Sequence, residues 1–103
     1  MPLDVRFSDD AEEDLYQIGA WIGAKAGAEV ARGFVNQIIQ TCEGLADHPF
    51  AGSPRNDIAN GLRSKSYQRR TTIFYTVTCN EVVVIHILYG GRDVVRAFGL
   101  TPP

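Results

Sequence analysis

Residues 71–89 read Thr-Thr-Ile-Phe-Tyr-Thr-Val-Thr-Cys-Asn-Glu-Val-Val-Val-Ile-His-Ile-Leu-Tyr, and this stretch decides the fold class. Residues 71–78 are β-branched and aromatic, which suits a pleated, half-buried surface. Cys79-Asn80 makes a tight reversal. Residues 82–89 are almost wholly apolar, broken only by His86. A strand apolar on both faces belongs at the centre of a sheet, covered on both sides or partly exposed to a partner. Gly90-Gly91 ends it. Just upstream, residues 62–67 form a more polar strand with Leu62 and Tyr67 inward, and Gln68-Arg69-Arg70 is the turn between. The last third is therefore three successive strands. Residues 92–103 follow as a tail with a helical turn around Val94 to Phe98.

Working back from the strands, His48-Pro49-Phe50-Ala51-Gly52-Ser53-Pro54 holds two helix-breaking prolines, Pro49 and Pro54, with a glycine between them, and reads as a loop running on to Gly61. Before it lie two helical patterns. Ala11, Leu15, Ile18 and Ile22 fall on one helical face, broadened by Trp21. Ala31, Phe34, Val35, Ile38, Cys42 and Leu45 trace another between residues 28 and 47. Gly27 interrupts the two, so they form an antiparallel helix hairpin. Ser8 or Asp9 can cap the first helix, and the acids that follow suit the positive end of its dipole. Ahead of it, Leu3, Val5 and Phe7 alternate with Asp4, Arg6 and Ser8 as a short strand. The expected order is β-α-α-β-β-β: an α+β fold with the hairpin on one face of a small antiparallel sheet. The tail, a partner or polar side chains must cover the other face.

With 103 residues, 45% apolar and 21% charged, residues 1–103 suit one soluble globular domain. No apolar run reaches the roughly 18 residues of a membrane span. Nor does the N-terminus carry a signal-peptide pattern, so a cytoplasmic location without membrane contact is expected. Cys42 and Cys79 make neither a disulfide framework nor a metal spacing, and no cofactor or metal is expected. The net charge of −2 conceals a split: residues 1–54 carry nine acids and three bases, residues 55–103 three acids and seven bases. Two faces suited to different macromolecular partners follow.

An ordered set of features then stands out. Ala11-x-x-Asp14-Leu15-x-x-Ile18-x-x-Trp21-Ile22 is followed by Gly27-x-x-x-Ala31-x-x-Phe34-x-x-x-Ile38 and Leu45-x-x-x-Pro49-x-x-Gly52-x-x-Arg55. Gly61-Leu62-Arg63-Ser64, Phe74-Tyr75-x-Val77 and Val84-Ile85-x-Ile87-Leu88-Tyr89-Gly90-Gly91-Arg92-Asp93 complete it. Over nearly the whole chain this resembles the RelE/ParE superfamily of toxins from bacterial toxin–antitoxin pairs, and most of all its ParE branch. The resemblance implies a ParD-like antitoxin whose C-terminal segment wraps the toxin in a hetero-oligomer. It implies inhibition of DNA gyrase and growth arrest for ParE-type members, and ribosome-dependent mRNA cleavage for RelE-type members.

Metal-free RNA cleavage needs groups that activate the 2′-hydroxyl, stabilise the phosphorane and protonate the leaving oxygen. At positions where RelE-like members often carry arginine and tyrosine, this chain has Thr72 and Phe98, and phenylalanine transfers no proton. The expectation is a gyrase-binding toxin without a catalytic residue. A nuclease would have to draw on Arg63, Lys65, Arg70, His86 and Arg92. A third alternative is a non-toxic module that still binds its antitoxin. Trp21, Arg55, Arg63, Lys65, Arg69, Arg70, Tyr89 and Arg92 are the candidates for antitoxin or target binding. Arg63 and Lys65 alternate on one strand and so point the same way. His86 shares the spacing of Val84 and Leu88, has no carboxylate close by in sequence, and reads as a hydrogen-bonded structural histidine.

Overall fold

The computed structural model describes residues 2–90 and 94–99. Strand β1 (Asp4–Phe7) leads into helices α1 (Asp9–Ala26) and α2 (Ala28–Gly44). A two-residue strand β2 (Ser53–Pro54), then β3 (Arg63–Tyr67), β4 (Thr71–Val77), β5 (Glu81–Tyr89) and the short helix α3 (Val94–Ala97) follow. The five strands form one sheet in the order β1-β5-β4-β3-β2.

The expected helix hairpin is present. Ser8 caps α1, its Oγ accepting from the Ala11 backbone N–H at 3.0 Å. Gly27 turns the chain between the helices with φ +99°, a conformation that costs glycine little and other residues more. The β2–β3, β3–β4 and β4–β5 pairs are antiparallel, as expected for a meander. Strand β1 departs from the antiparallel expectation. It runs parallel to β5, with Val5 opposite Val82 and Phe7 opposite Val84. The meander fixes the direction of β5, and β1 takes the open edge beside it, so the sheet is mixed. That pairing joins residues more than 70 positions apart, which local periodicity does not encode.

Two cores lie on the two sheet faces. On the hairpin side, Ile18, Ile22, Ile38, Cys42 and Leu45 pack against Ile73, Tyr75, Val82, Val84 and Ile87. On the other side, Leu62, Phe74 and Leu88 are covered by Ile58 and by Val94, Ala97 and Phe98 of the C-terminal segment. The tail is thus the cover that the second face of the central strand requires. Each fully buried aliphatic or aromatic side chain in these clusters contributes about 1.5–3 kcal/mol.

A bulge corrects the placement of His86. Val84 lies opposite Tyr75 and His86 opposite Phe74, leaving Ile85 as the extra residue of β5. A bulge reverses the alternation beyond it. Val84 therefore joins the hairpin-side core while His86 lies on the face of Leu88 and Phe74.

The loop after α2 is tied down by Tyr75. Its hydroxyl donates to the Pro49 carbonyl and accepts from the Gly52 N–H, both at 2.9 Å.

The cysteines differ in environment. Burial, with a smaller contribution from the Glu43 carboxylate, pushes the Cys42 thiol up to about 12. Cys79 is exposed at the β4–β5 turn. Only thiolate attacks, and Cys42 stays protonated well above neutrality. At about pH 8 the folded chain should take up one equivalent of maleimide, at Cys79, and a second only in denaturant. Labelling of Cys42 in the folded chain, read by peptide mass, would contradict this.

Gly33 lies within α2, and a methyl group added there meets nothing within 4 Å. Gly33→Ala should therefore stabilise the chain by about 0.5–1 kcal/mol, through helix propensity alone. A lowered midpoint in urea would show that this exposed position carries some other constraint.

Candidate partner-docking surface

At one end of the hairpin the aromatic side chains of four elements meet. Trp21 of α1 stands edge-on to Tyr89 of β5, with ring centroids 5.4 Å apart. Tyr89 meets Phe34 of α2 at 5.5 Å, and Phe34 meets Tyr67 of β3 at 5.8 Å. These edge-to-face contacts each add about 0.5–1.5 kcal/mol beyond their buried area. Tyr67 also donates to the Gln37 side chain at 3.1 Å. The row is fixed at its centre and open at one end, where Trp21 is 46% exposed. Lys25, one turn further along α1, places its ammonium 4.9 Å from the Trp21 ring centroid.

Beside Trp21 lies a cleft of about 250 Å³ walled by Gln17, Ile18, Trp21, Arg70, Tyr89 and Gly90. Trp21, Arg70 and Tyr89, all singled out from the sequence, thus come together. Arg70 reaches the cleft because the β3–β4 turn is tied to the end of β5 by a backbone bond from the Gly90 N–H to the Arg70 carbonyl at 2.9 Å. Arg69 and Arg70 also border a second cleft, of about 390 Å³, on the opposite face of the sheet with Thr72, Phe74, Leu88 and Val94. A third, mainly apolar groove of about 390 Å³ runs between α1 and α2, lined by Leu15, Tyr16, Ala31 and Val35 among others.

The remaining basic candidates lie elsewhere. Arg63 donates from Nη2 to the Gly52 carbonyl at 2.8 Å and the Phe50 carbonyl at 3.2 Å, and its guanidinium lies against the exposed Phe50 ring. It holds the loop after α2. Arg55 makes two 3.0 Å bonds to Asp57 and lies over the Phe74 ring. The bond from the Arg55 guanidinium holds the Asp57 carboxyl below its ordinary value. Lys65 sits opposite Ile73, on the same sheet face as Arg63, which lies opposite Tyr75. Arg63 is committed to backbone carbonyls, so these neighbours do not form a free basic pair. Arg92 lies outside the described residues.

His86 has a carboxylate partner that its sequence neighbourhood does not show. Its Nδ1 lies 2.8 Å from Asp14 Oδ2, and the same oxygen accepts the Ile87 N–H at 2.9 Å. An ionised carboxylate only accepts, so the hydrogen-bond pattern assigns the Nδ1 proton to the histidine. Asp10 stands 3.8 Å from Nε2, and the Phe98 ring 5.1 Å from the imidazole. Asp14 occupies the β5 edge just past the end of β1, where a backbone N–H would otherwise lack a partner. The chain positions of Asp14 and His86 differ by 72, and no periodicity signals the pair. Gln17, Lys25, Phe34 and Tyr67 likewise enter the surface only through packing. Among the described residues no cluster of His, Cys, Asp or Glu could hold a metal ion, and no helix is long and apolar enough to cross a membrane.

The family of the ParE toxin of the type II toxin–antitoxin system parDE matches residues 5–94. This chain belongs to the ParE toxin family. The match spans β1 to the start of α3 and so takes in the hairpin, the whole sheet and the aromatic row. Two solved structures share the fold. A chain of the chromosomal ParDE toxin–antitoxin system from P. aeruginosa is 20% identical, with a TM-score of 0.75 over 84% of this chain and 95% of that one. A chain of the toxin–antitoxin complex RelBE2 from Mycobacterium tuberculosis is 18% identical, with a TM-score of 0.66 over 87% of this chain and 100% of that one. A search of the curated proteins found no match. The chain is thus a ParE-family toxin of a type II toxin–antitoxin system, on a fold seen in both ParDE and RelBE assemblies.

Proposed function

We propose that this ParE-family toxin arrests growth by binding DNA gyrase, without chemistry of its own, and that a ParD-like antitoxin neutralises it. The observation that carries this reading is the lining of the cleft bordered by Arg69 and Arg70. Thr72, Phe74, Leu88 and Val94 supply no group able to move a proton, and Phe98 packs edge-on against Phe74 at 5.1 Å. A cleft with cations and apolar walls suits docking on an acidic surface better than acid–base catalysis. The apolar groove between α1 and α2 suits the apolar face of an antitoxin helix. The deciding measurement is supercoiling of relaxed plasmid by purified gyrase with this protein added. Inhibition together with trapped cleavage complexes is expected. Undisturbed supercoiling removes the gyrase target.

A ribosome-dependent endoribonuclease is the second reading, favoured by one observation: Asp14 orients the His86 imidazole as a carboxylate orients a general base. Primer extension on translated messages after induction separates the two. New cleavage ends that vanish in His86→Ala, with folding retained, would replace the gyrase reading. Growth arrest with intact messages would support it.

A further inference from the structure

We propose that the cleft between Trp21, Tyr89 and Arg70 is an anchor pocket for one apolar or aromatic side chain of an acidic peptide segment, with a carboxylate next to that side chain paired to Arg70. The proposal rests on the antitoxin reading for the source of the segment, and on the pocket itself for its chemistry. The pocket's volume of about 250 Å³ falls short of the roughly 300–1,000 Å³ of sites that enclose whole small molecules. It suits a single large side chain.

Its walls are the exposed indole of Trp21 and the ring of Tyr89, held from behind by Phe34. Such preorganised aromatic surface typifies positions that dominate binding energy. Two cations flank it. Lys25 stands over the indole, and the exposed Arg70 guanidinium has no partner among the described residues. Arginine presents a planar fork matched to carboxylate.

A nucleotide would also combine a ring with negative charge, but the neighbouring surface argues against one. Gln17 in the pocket wall donates to Glu13 at 3.1 Å, and Glu12, Asp10 and Asp9 continue the acidic face of α1. A polyphosphate strand would run into that face. A short peptide with one or two carboxylates at Arg70 and Lys25 would not.

Trp21 is the sole tryptophan, so its fluorescence and its indole N–H resonance report on this pocket. The full chain is titrated with the tripeptide acetyl-Glu-Phe-Glu-amide, and in parallel with its Lys-Phe-Lys and Glu-Ala-Glu counterparts. Saturable change of the indole signal with Glu-Phe-Glu is expected, at about millimolar Kd. Loss of one charge-assisted bond should weaken it by about tenfold in Arg70→Glu, with partial recovery in Arg70→Lys. Arg70 is exposed, so its variants should keep the far-UV spectrum of the parent.

Equal response to Lys-Phe-Lys, or an unchanged response in Arg70→Glu, overturns the proposal. So does a complex with a ParD-like antitoxin that leaves the indole signal unaltered, and in that case the antitoxin reading survives. Tripeptide binding without any antitoxin complex would keep the pocket and remove that reading.

Discussion

Gly52→Ala is expected to cost about 3 kcal/mol of folding stability and to lower the thermal midpoint by about 15 °C. A Cβ at this position would lie 2.6 Å from the Ser64 carbonyl oxygen, 2.6 Å from the Tyr75 hydroxyl and 2.9 Å from Tyr75 Cε1. None of these atoms can move aside cheaply. Ser64 is a backbone rung of β3, paired with Ser53 and Phe74. Tyr75 of β4 is fully buried in the hairpin-side core. Moving its ring would also strain the two hydroxyl bonds that hold Pro49 and Gly52. Overpacking alone typically costs about 1–3 kcal/mol, and a buried bond lost with it adds about 1 kcal/mol. Thermal unfolding of Gly52→Ala beside Gly33→Ala gives the contrast: the same methyl group should destabilise sharply at the first position and stabilise slightly at the second. Equal midpoints would mean that the loop after α2 relaxes freely and that Tyr75 does not fix it.

Asp14→Ala is expected to have an effect of similar size, about 2–4 kcal/mol. One carboxylate oxygen serves the Ile87 N–H and the His86 ring, and removing it leaves two partly buried donors without that acceptor. Each donor left unsatisfied costs about 1–3 kcal/mol. The damage should be local to the free edge of β5 and to the ring stack of His86, Phe98 and Phe74. Hydrogen exchange should therefore quicken at Ile87 before it does in the hairpin-side core. Asp14→Asn offers a control, because an amide oxygen in the same place can accept the backbone bond. It should recover about half of the loss. A fully stable Asp14→Ala would show that water replaces the carboxylate at this edge, and that α1 needs no polar fastening to β5.

These two positions show how differently the chain displays its information. Gly52 lies among Pro49, Ser53 and Pro54, and its loop is plain from those residues. What makes it intolerant of a methyl group is Tyr75, 23 residues on, and no local pattern carries that. Asp14 looks from its neighbours like one more acid at a helix start, where the dipole explains it fully. Only the closure of α1 over the β5 edge gives it two specific partners.

The basic candidates divide along the same line. Charge in residues 55–103 is visible by counting. Which cations are committed is not: Arg63 is tied to carbonyls, Arg55 to Asp57, and Arg70 is left at a cleft with Trp21 and Tyr89. Sequence alternation puts His86 with Val84, whereas the bulge at Ile85 parts them. A bulge adds one residue without changing composition, so alternation cannot reveal it.

The amino-acid sequence by itself determined the helix hairpin, the three-strand meander and the need for cover on both faces of β5. Those follow from periods of 3.6 and 2 residues and from glycine and proline punctuation, all of which act over a few positions. Its ordered motifs also carried the family resemblance. The tertiary structure alone decided that β1 runs parallel to β5, that Asp14 meets His86, and that Trp21, Tyr89 and Arg70 share one cleft. Each of these joins the first quarter of the chain to residues roughly 50 to 80 positions further on. Such contacts form only when burial of the whole core outweighs the entropy of closing those loops.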